Sequence, residues 1–337
     1  MAEPEIIYLD HAAATPLRPE AAEAMATAYR EAPGNPSSIG GPGRAAARAL
    51  GRARERLALA LDVLPERVIF TSGGTESIGL AVLGSLQGRR GHVVTSAIEH
   101  PAVLGSVRLL ERQGFEVTRV PVSRGGVVDV DRFAGTIRKD TLLACLMHVN
   151  NELGTIQPVA EVFAAVKAQA PRCLTFADAV QSFTRLAVEP DRWQADLVAL
   201  SSHKIGGPRG VGALVAGSRR PEPLYGGGDQ EWGVRPGTED VPGIVGFVAA
   251  ARACLEGLDR RRLQSRMFSE ELAARLEREV PTARRNGDDA RRVDFIVSVS
   301  VPGLPSEALV RGLEEHGVCV STGAACHARS QKQSHVL

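Results

Sequence analysis

Residues 197–208 read Leu-Val-Ala-Leu-Ser-Ser-His-Lys-Ile-Gly-Gly-Pro. Four apolar residues make a short buried strand, two serines end it, and Lys204 leads into a glycine turn. Parallel α/β sheets bind ligands beyond the carboxyl ends of their strands, so a lysine here stands where chemistry is done. Taking water away from an amine lowers its pKa and makes it a nucleophile. The plainer alternative is a surface lysine that lays its stem along apolar neighbours. The basic residues are nearly all arginine, and only Lys139, Lys167, Lys204 and Lys332 are lysine. Lys139 sits in a charged Arg-Lys-Asp turn, Lys167 in an amphipathic stretch and Lys332 in a polar tail. Lys204 alone follows a buried strand.

Outward from this stretch, β-rich runs alternate with amphipathic ones. Strands are expected at 68–71, 92–95, 116–121, 142–149, 173–177, 197–200 and 211–215. Helices are expected over 45–61, 75–86, 101–113 and 158–169, and a first helix opens at a Thr15-Pro16 cap and closes at Pro33-Gly34. Strands joined by helices predict parallel pairing in a sheet covered on both faces. After Gly257 the texture changes to a charged helix over 259–280, a strand at 295–301, a helix over 306–316 and a strand at 318–321. This reads as a second, smaller α/β unit.

The other strand ends carry chemistry-bearing residues. Strand 68–71 runs into Ser72-Gly73-Gly74-Thr75-Glu76-Ser77 and a helix. Small residues let the backbone approach an anion, and the helix start offers N–H groups and a favourable dipole. An ordinary junction with Thr75 as N-cap fits equally well, and no Walker loop is present. Asp178 follows strand 173–177. A carboxylate there can hold a metal, cap a helix or pair with a protonated ring nitrogen. A strand-end lysine, an anion-binding helix start and a strand-end carboxylate are together what pyridoxal phosphate needs. His100 either works on such a ring or is structural, and residues 147–152, Met-His-Val-Asn-Asn-Glu, add polar groups at another strand end. Cys145, Cys173, Cys254 and Cys319 read as core. Cys326 stands in a small-residue loop, Ser321-Thr-Gly-Ala-Ala-Cys-His327, which suits a reactive thiol beside His327.

Composition sets the outer limits. The 337 residues are 44% hydrophobic, 4% aromatic and 23% charged, as in a packed globular chain of about two domains. Lys+Arg is 40 against 39 for Asp+Glu, a net charge of +1, so no overall field invites nucleic acid or an anionic membrane. The longest apolar runs are strand length, so none spans a bilayer. The first residues lack the basic and apolar regions of a signal peptide. Five cysteines without a CxxC fit a reducing cytoplasm, and eight histidines without HExxH spacing speak against a zinc site.

The full set of motifs resembles a known family. In order these are Tyr8–Pro16 (YLDHAAATP), Gly34–Ser38 (GNPSS), Phe70–Ser77 (FTSGGTES), Glu99-His100, His148–Gly154 (HVNNELG), Ala177–Ser182 (ADAVQS), Ser201–Leu214, Gly226–Asp240 and Ser321–His327. They resemble the fold-type I, class V aminotransferase-like enzymes, and within them the cysteine desulfurases and selenocysteine lyases. The resemblance implies the α/β fold-type I architecture of PLP-dependent transferases. A large domain over 16–257 holds a mainly parallel sheet covered by helices, a smaller α/β C-terminal domain covers 258–337, and residues 1–15 pack near the small domain.

The same resemblance implies roles. Lys204 holds pyridoxal 5'-phosphate, Asp178 pairs with its pyridinium nitrogen, Gln181 bonds the ring hydroxyl and His100 stacks on the ring. Gly74, Thr75, Ser201 and His203 bind the phosphate. Thr238 reaches the phosphate of the partner subunit's cofactor in a homodimer, and Asn151 lies near the ring hydroxyl and substrate. Cys326 takes sulfur from L-cysteine as a persulfide and passes it to an acceptor protein such as an iron–sulfur scaffold; no resident metal is implied, and Cys326 is the one candidate for a transient iron–sulfur ligand. The GAACH loop looks more like that of selenocysteine lyases, so L-selenocysteine is the alternative substrate. The sequence stops at Leu337, before the Ser-x-Arg-type segment whose arginine clamps the substrate carboxylate in relatives. The expectation is an incomplete small domain and weak saturation with cysteine, unless Arg329 supplies the clamp, or else a poorly active homologue that serves as a binding partner.

Overall fold

The structure is a computed structural model and describes residues 6–323 and 334–337. The chain begins with β1 (Ile7–Tyr8), α1 (Pro19–Glu31) and α2 (Gly41–Leu59). Then β2 (Val68–Thr71), α3 (Gly74–Val82), β3 (His92–Ser96), α4 (Pro101–Arg112) and β4 (Glu116–Val120) alternate. A short α5 (Val130–Ala134) leads to β5 (Thr141–Met147), α6 (Val159–Gln169), β6 (Leu174–Asp178), β7 (Leu197–Ser201) and β8 (Gly212–Ala216). The remainder comprises α7 (Val241–Glu256), α8 (Leu258–Glu279), β9 (Arg284–Arg285), β10 (Val299–Ser300), α9 (Ser306–Glu315) and β11 (Val318–Cys319).

A seven-stranded sheet in the order β2-β8-β7-β6-β5-β3-β4 forms the centre. Strands β3 to β7 pair in parallel, as their intervening crossovers require. β8 departs from the expected pairing: it runs antiparallel to both β7 and β2. It follows β7 with no α-helix between them, so the chain turns back directly. Side chains alternate between two cores. In β5, Leu143 and Cys145 join the cluster that holds Ile78, Leu110 and Phe176, while Ala144 and Leu146 join the one that holds Phe133, Phe163 and Phe247. Near-continuous apolar strands are the result of covering both faces.

The chain steps from β3 outward to edge strand β4 and returns on the other side of β3 to make β5. At such a reversal the two flanking loops leave in opposite directions and open a crevice at the carboxyl edge. The segments after β3 and β5, which hold Glu99-His100 and His148–Asn151, border it.

Three local expectations are corrected. α1 starts at Pro19, not at a Thr15-Pro16 cap, because the Thr15 hydroxyl is engaged elsewhere: it donates to the His203 carbonyl at 2.7 Å and accepts from Gly206 N at 2.6 Å. The strand expected at 295–301 shrinks to β10, since its only partner among the described residues is two-residue β9 and Phe295 packs against the Arg185 guanidinium at 4.5 Å. Cys319 is half-buried, not core, because among the described residues β11 pairs only with β1, whose residues are exposed. Residues 293–296 pack on the segment after β5: Val293 and Ile296 lie against Val149, and Val293 N donates to the Gly154 carbonyl at 2.9 Å.

Candidate active site

Lys204 sits where the sequence reading expects a nucleophile, in the turn just past β7. Its Nζ donates to the carbonyls of Ala12 at 2.5 Å and Ala13 at 2.8 Å, so the N-terminal segment lies across the lysine. Gln181 shares that segment, donating to Ala12 O at 2.9 Å and accepting from Arg185. Gly206 is obligatory in this turn: its φ is +82° and a Cβ would stand 2.3 Å from the Arg18 side chain.

Asp178 closes β6 and is buried, with Oδ1 accepting from Val180 N at 3.0 Å. Burial pushes its carboxyl up to about 6, while Lys204 pulls the other way. A buried carboxyl facing a cation is the arrangement that holds a proton on a ring nitrogen. His203 accepts from or donates to Ser201 Oγ at 2.9 Å. Burial first, then Lys204 and Arg209, push its imidazole down to about 4, so it is neutral at pH 7.

The start of α3 has no side-chain cap among the described residues, which leaves its first N–H groups to an anion. Gly73 precedes it at φ +148°, and a Cβ on Gly74 would stand 3.0 Å from Val180 and 3.4 Å from Ser201. The floor between α3, β6 and β7 is therefore close-fitting, and Thr75 is exposed above it. His100 is the N-cap of α4; its Nδ1 accepts from Ala102 N at 3.1 Å, which places the proton of the neutral ring on Nε2. Asn150 holds the turn after β5, donating to Ile98 O and accepting from Glu152 N and Leu153 N. Asn151 is thereby left half-buried at the crevice.

Thr238 stands apart on an exposed loop, residues 225–240. This loop is anchored in two places. Tyr225 donates to Glu76 at 2.8 Å and Arg235 approaches the same oxygen at 3.4 Å, at the first turn of α3. Glu231 is buried and takes both arms of Arg54, at 2.8 and 2.6 Å, together with Phe70 N at 2.8 Å. Glu231 and Trp232 have φ of 48° and 58°, in the left-handed region that side chains disfavour. Trp232 lies between the Arg54 and Arg220 guanidiniums, each 4.5 Å from its ring.

Several contributors escape a sequence reading. Arg185 donates to the Lys204 carbonyl at 2.7 Å and is buried enough that its guanidinium falls to about 10. Thr15 and Arg54 reach their partners over long chain separations, and no local pattern marks them. Glu99 was visible only as the neighbour of His100. Cys326, His327, Arg329 and Lys332 lie outside the described residues.

The pattern of the aminotransferase class-V family matches residues 7–336. "Cysteine desulfurase IscS" of Dictyoglomus turgidum is 39% identical over 335 residues, covering 98% of this chain and 84% of that protein. "Putative cysteine desulfurase IscS 1" of Bacillus subtilis is 37% identical, covering 99% and 88%. Among solved structures, a "NifS-like protein" aligns with a TM-score of 0.90 at 34% identity, covering 94% of this chain and 87% of the other. "SspA in complex with cysteine" aligns at 0.85 and 32%, covering 98% and 92%. With the fold-type I sheet, the strand-end lysine and a family match over nearly the whole length, the chain belongs to the class-V aminotransferases.

Proposed function

We propose that this protein is a pyridoxal-phosphate-dependent cysteine desulfurase, which converts L-cysteine to L-alanine and keeps the sulfur as a persulfide on Cys326 for an acceptor such as an iron–sulfur scaffold. The observation that carries the reading is the convergence on one crevice of Lys204, buried Asp178 and the uncapped start of α3. The names of the relatives support the same reaction.

The residues fit the cofactor. The close floor at Gly74, Val180 and Ser201 suits a flat ring and its phosphate, and Asp178 is a buried carboxyl suited to a cationic ring nitrogen. When bound, pyridoxal phosphate supplies an electron sink for the charge left by removal of the substrate α-proton. The chain's own residues do the rest. The N–H groups of α3, Thr75, Ser201 and neutral His203 would hold the phosphate. Asp178 would keep the ring nitrogen protonated, Gln181 and Asn151 would bond the ring hydroxyl, and His100 would bind the ring. Lys204 would anchor the cofactor and take the substrate α-proton. The Cys326 thiolate attacks the substrate sulfur: an S–S bond forms, the substrate C–S bond breaks, and its electron pair stays with the carbon that becomes the alanine methyl and takes up a proton.

Thr238, on its anchored loop, completes the partner's phosphate site in a homodimer. Free thiols at Cys145, Cys173, Cys254 and Cys319 accord with a cytoplasmic setting. The GAACH loop looks more like that of selenocysteine lyases, which keeps L-selenocysteine as the alternative substrate. The test is alanine release from each amino acid by the purified chain with added pyridoxal phosphate. Alanine from cysteine, together with protein-bound persulfide, is the expected result. Absence of alanine from cysteine refutes the proposal, and alanine from selenocysteine alone favours the lyase alternative.

A further inference from the structure

Glu99 lies three residues past β3, between the sheet and the crevice, and is 0% exposed. Its Oε1 accepts from Ser96 Oγ at 2.5 Å and from Met147 N at 3.0 Å. Its Oε2 is buried without a hydrogen-bond partner among the described residues. Both donors are neutral, and no arginine or lysine among the described residues pairs with it. A charged carboxylate in such surroundings is far costlier than the neutral acid. The strand register brings a second carboxyl close: Met147, whose N–H Glu99 accepts, pairs directly with Asp178. The groups facing Glu99 are Asp178 from β6, the Cys145 thiol from β5, His100 at the next position, and His335, whose Nε2 meets the Glu99 carbonyl at 3.0 Å. Between Glu99 and Asp178, Asp178 is the one with a lysine beside it among the described residues.

We propose that Glu99 is a positioning residue held as the neutral carboxylic acid beneath the site, so that Asp178 is the single buried anion offered to the ring nitrogen. The inference rests on the cofactor reading above, but its first half is a property of the protein alone. Ionising Glu99 places a second negative charge beside Asp178 and raises the proton affinity of whatever Asp178 faces. Burial is the main cause that lifts Glu99 to about 8, with Asp178 adding to the rise, while Ser96 and Met147 oppose it. Asp178, lifted only to about 6, is largely ionised at pH 7. One buried acid is therefore protonated at neutral pH, and it is Glu99.

The test uses the full chain with and without pyridoxal phosphate. Infrared spectra at pH 7 should show a protonated-carboxyl band that Glu99→Gln removes and that wild type loses as pH rises past about 8. With cofactor bound, the absorption spectrum of wild type should change over the same pH range, and Glu99→Gln should abolish that change. Ser96→Ala removes a hydrogen bond that favours the ionised form, so both transitions should move to higher pH. A band that survives in Glu99→Gln, or a transition that Ser96→Ala leaves in place, overturns the proposal. If wild type forms no cofactor band at all, the cofactor reading fails, while the infrared band still decides the state of Glu99.

Discussion

The Arg54–Glu231 pair offers the sharpest quantitative test of how this molecule is held together. Glu231 is 0% exposed at its side chain and Arg54 12%, and two short hydrogen bonds join them. Cutting Glu231 to alanine leaves a buried guanidinium without its counter-ion and Phe70 N without its acceptor. Losing one partner of a buried pair costs about 3–5 kcal/mol. The left-handed backbone at Glu231 and Trp232 adds to the case, since holding two such residues costs roughly 1–2 kcal/mol each and the pair is what offsets it. Urea denaturation of wild type, Arg54→Met, Glu231→Ala and the double variant forms a complete cycle. Each single variant should lose about 3–5 kcal/mol, and the double variant should cost at least ~2 kcal/mol less than their sum. A Glu231→Ala loss below about 1 kcal/mol, or additive singles, refutes the assignment of this pair as the anchor of the loop.

Three further outcomes are expected. Borohydride should fix the cofactor on Lys204 and Lys204→Ala should abolish the label; a label mapped to Lys139, Lys167 or Lys332 contradicts the site. Cys326→Ser should keep cofactor absorption and lose persulfide formation from cysteine; persulfide on the variant removes Cys326 from the reaction. His148 is buried against Trp193, and burial pushes its imidazole down to about 4. The unfolded chain then binds the proton first, so stability is present above about pH 6.5 and is lost as pH falls toward 4, by up to about 3 kcal/mol at ~1.4 kcal/mol per pH unit. His148→Phe should flatten part of that acid limb in urea midpoints taken from pH 7 to 4, with His203 and His92, both also held down by burial, contributing to what is left; an unchanged limb sinks the assignment.

Much of this was legible in the chain because the informative signals are local. A strand of apolar residues that ends in Ser-Ser-His-Lys carries its own address, and so do Asp178 at the end of β6 and the glycines at the start of α3. What escaped depends on partners far away in sequence. Thr15 looks like a helix cap until His203 and Gly206 claim its hydroxyl. Glu231 looks like a solvated loop residue until Arg54 takes it in both arms. The direction of β8 depended on a missing crossover, and the fate of Phe295 on Arg185. Local pattern fixes elements and strand ends; charge pairing and backbone strain need the assembled fold.

The N-terminal segment has a consequence for biosynthesis. Residues 7–8 pair with residues 318–319, and Ala12, Ala13 and Thr15 rest on the lysine turn at 203–206. The ribosome makes the first of these partners near the beginning and the last roughly three hundred residues later. At about 5–20 residues per second the leading segment waits on the order of 15–60 s for its strand partner. During that interval Lys204 can emerge and the central sheet can close, yet the N-terminal ribbon has only half of its seat. A nascent chain stalled before residue 318 would carry this ribbon open to proteases and chaperones, whereas the finished chain would have it pinned at both ends.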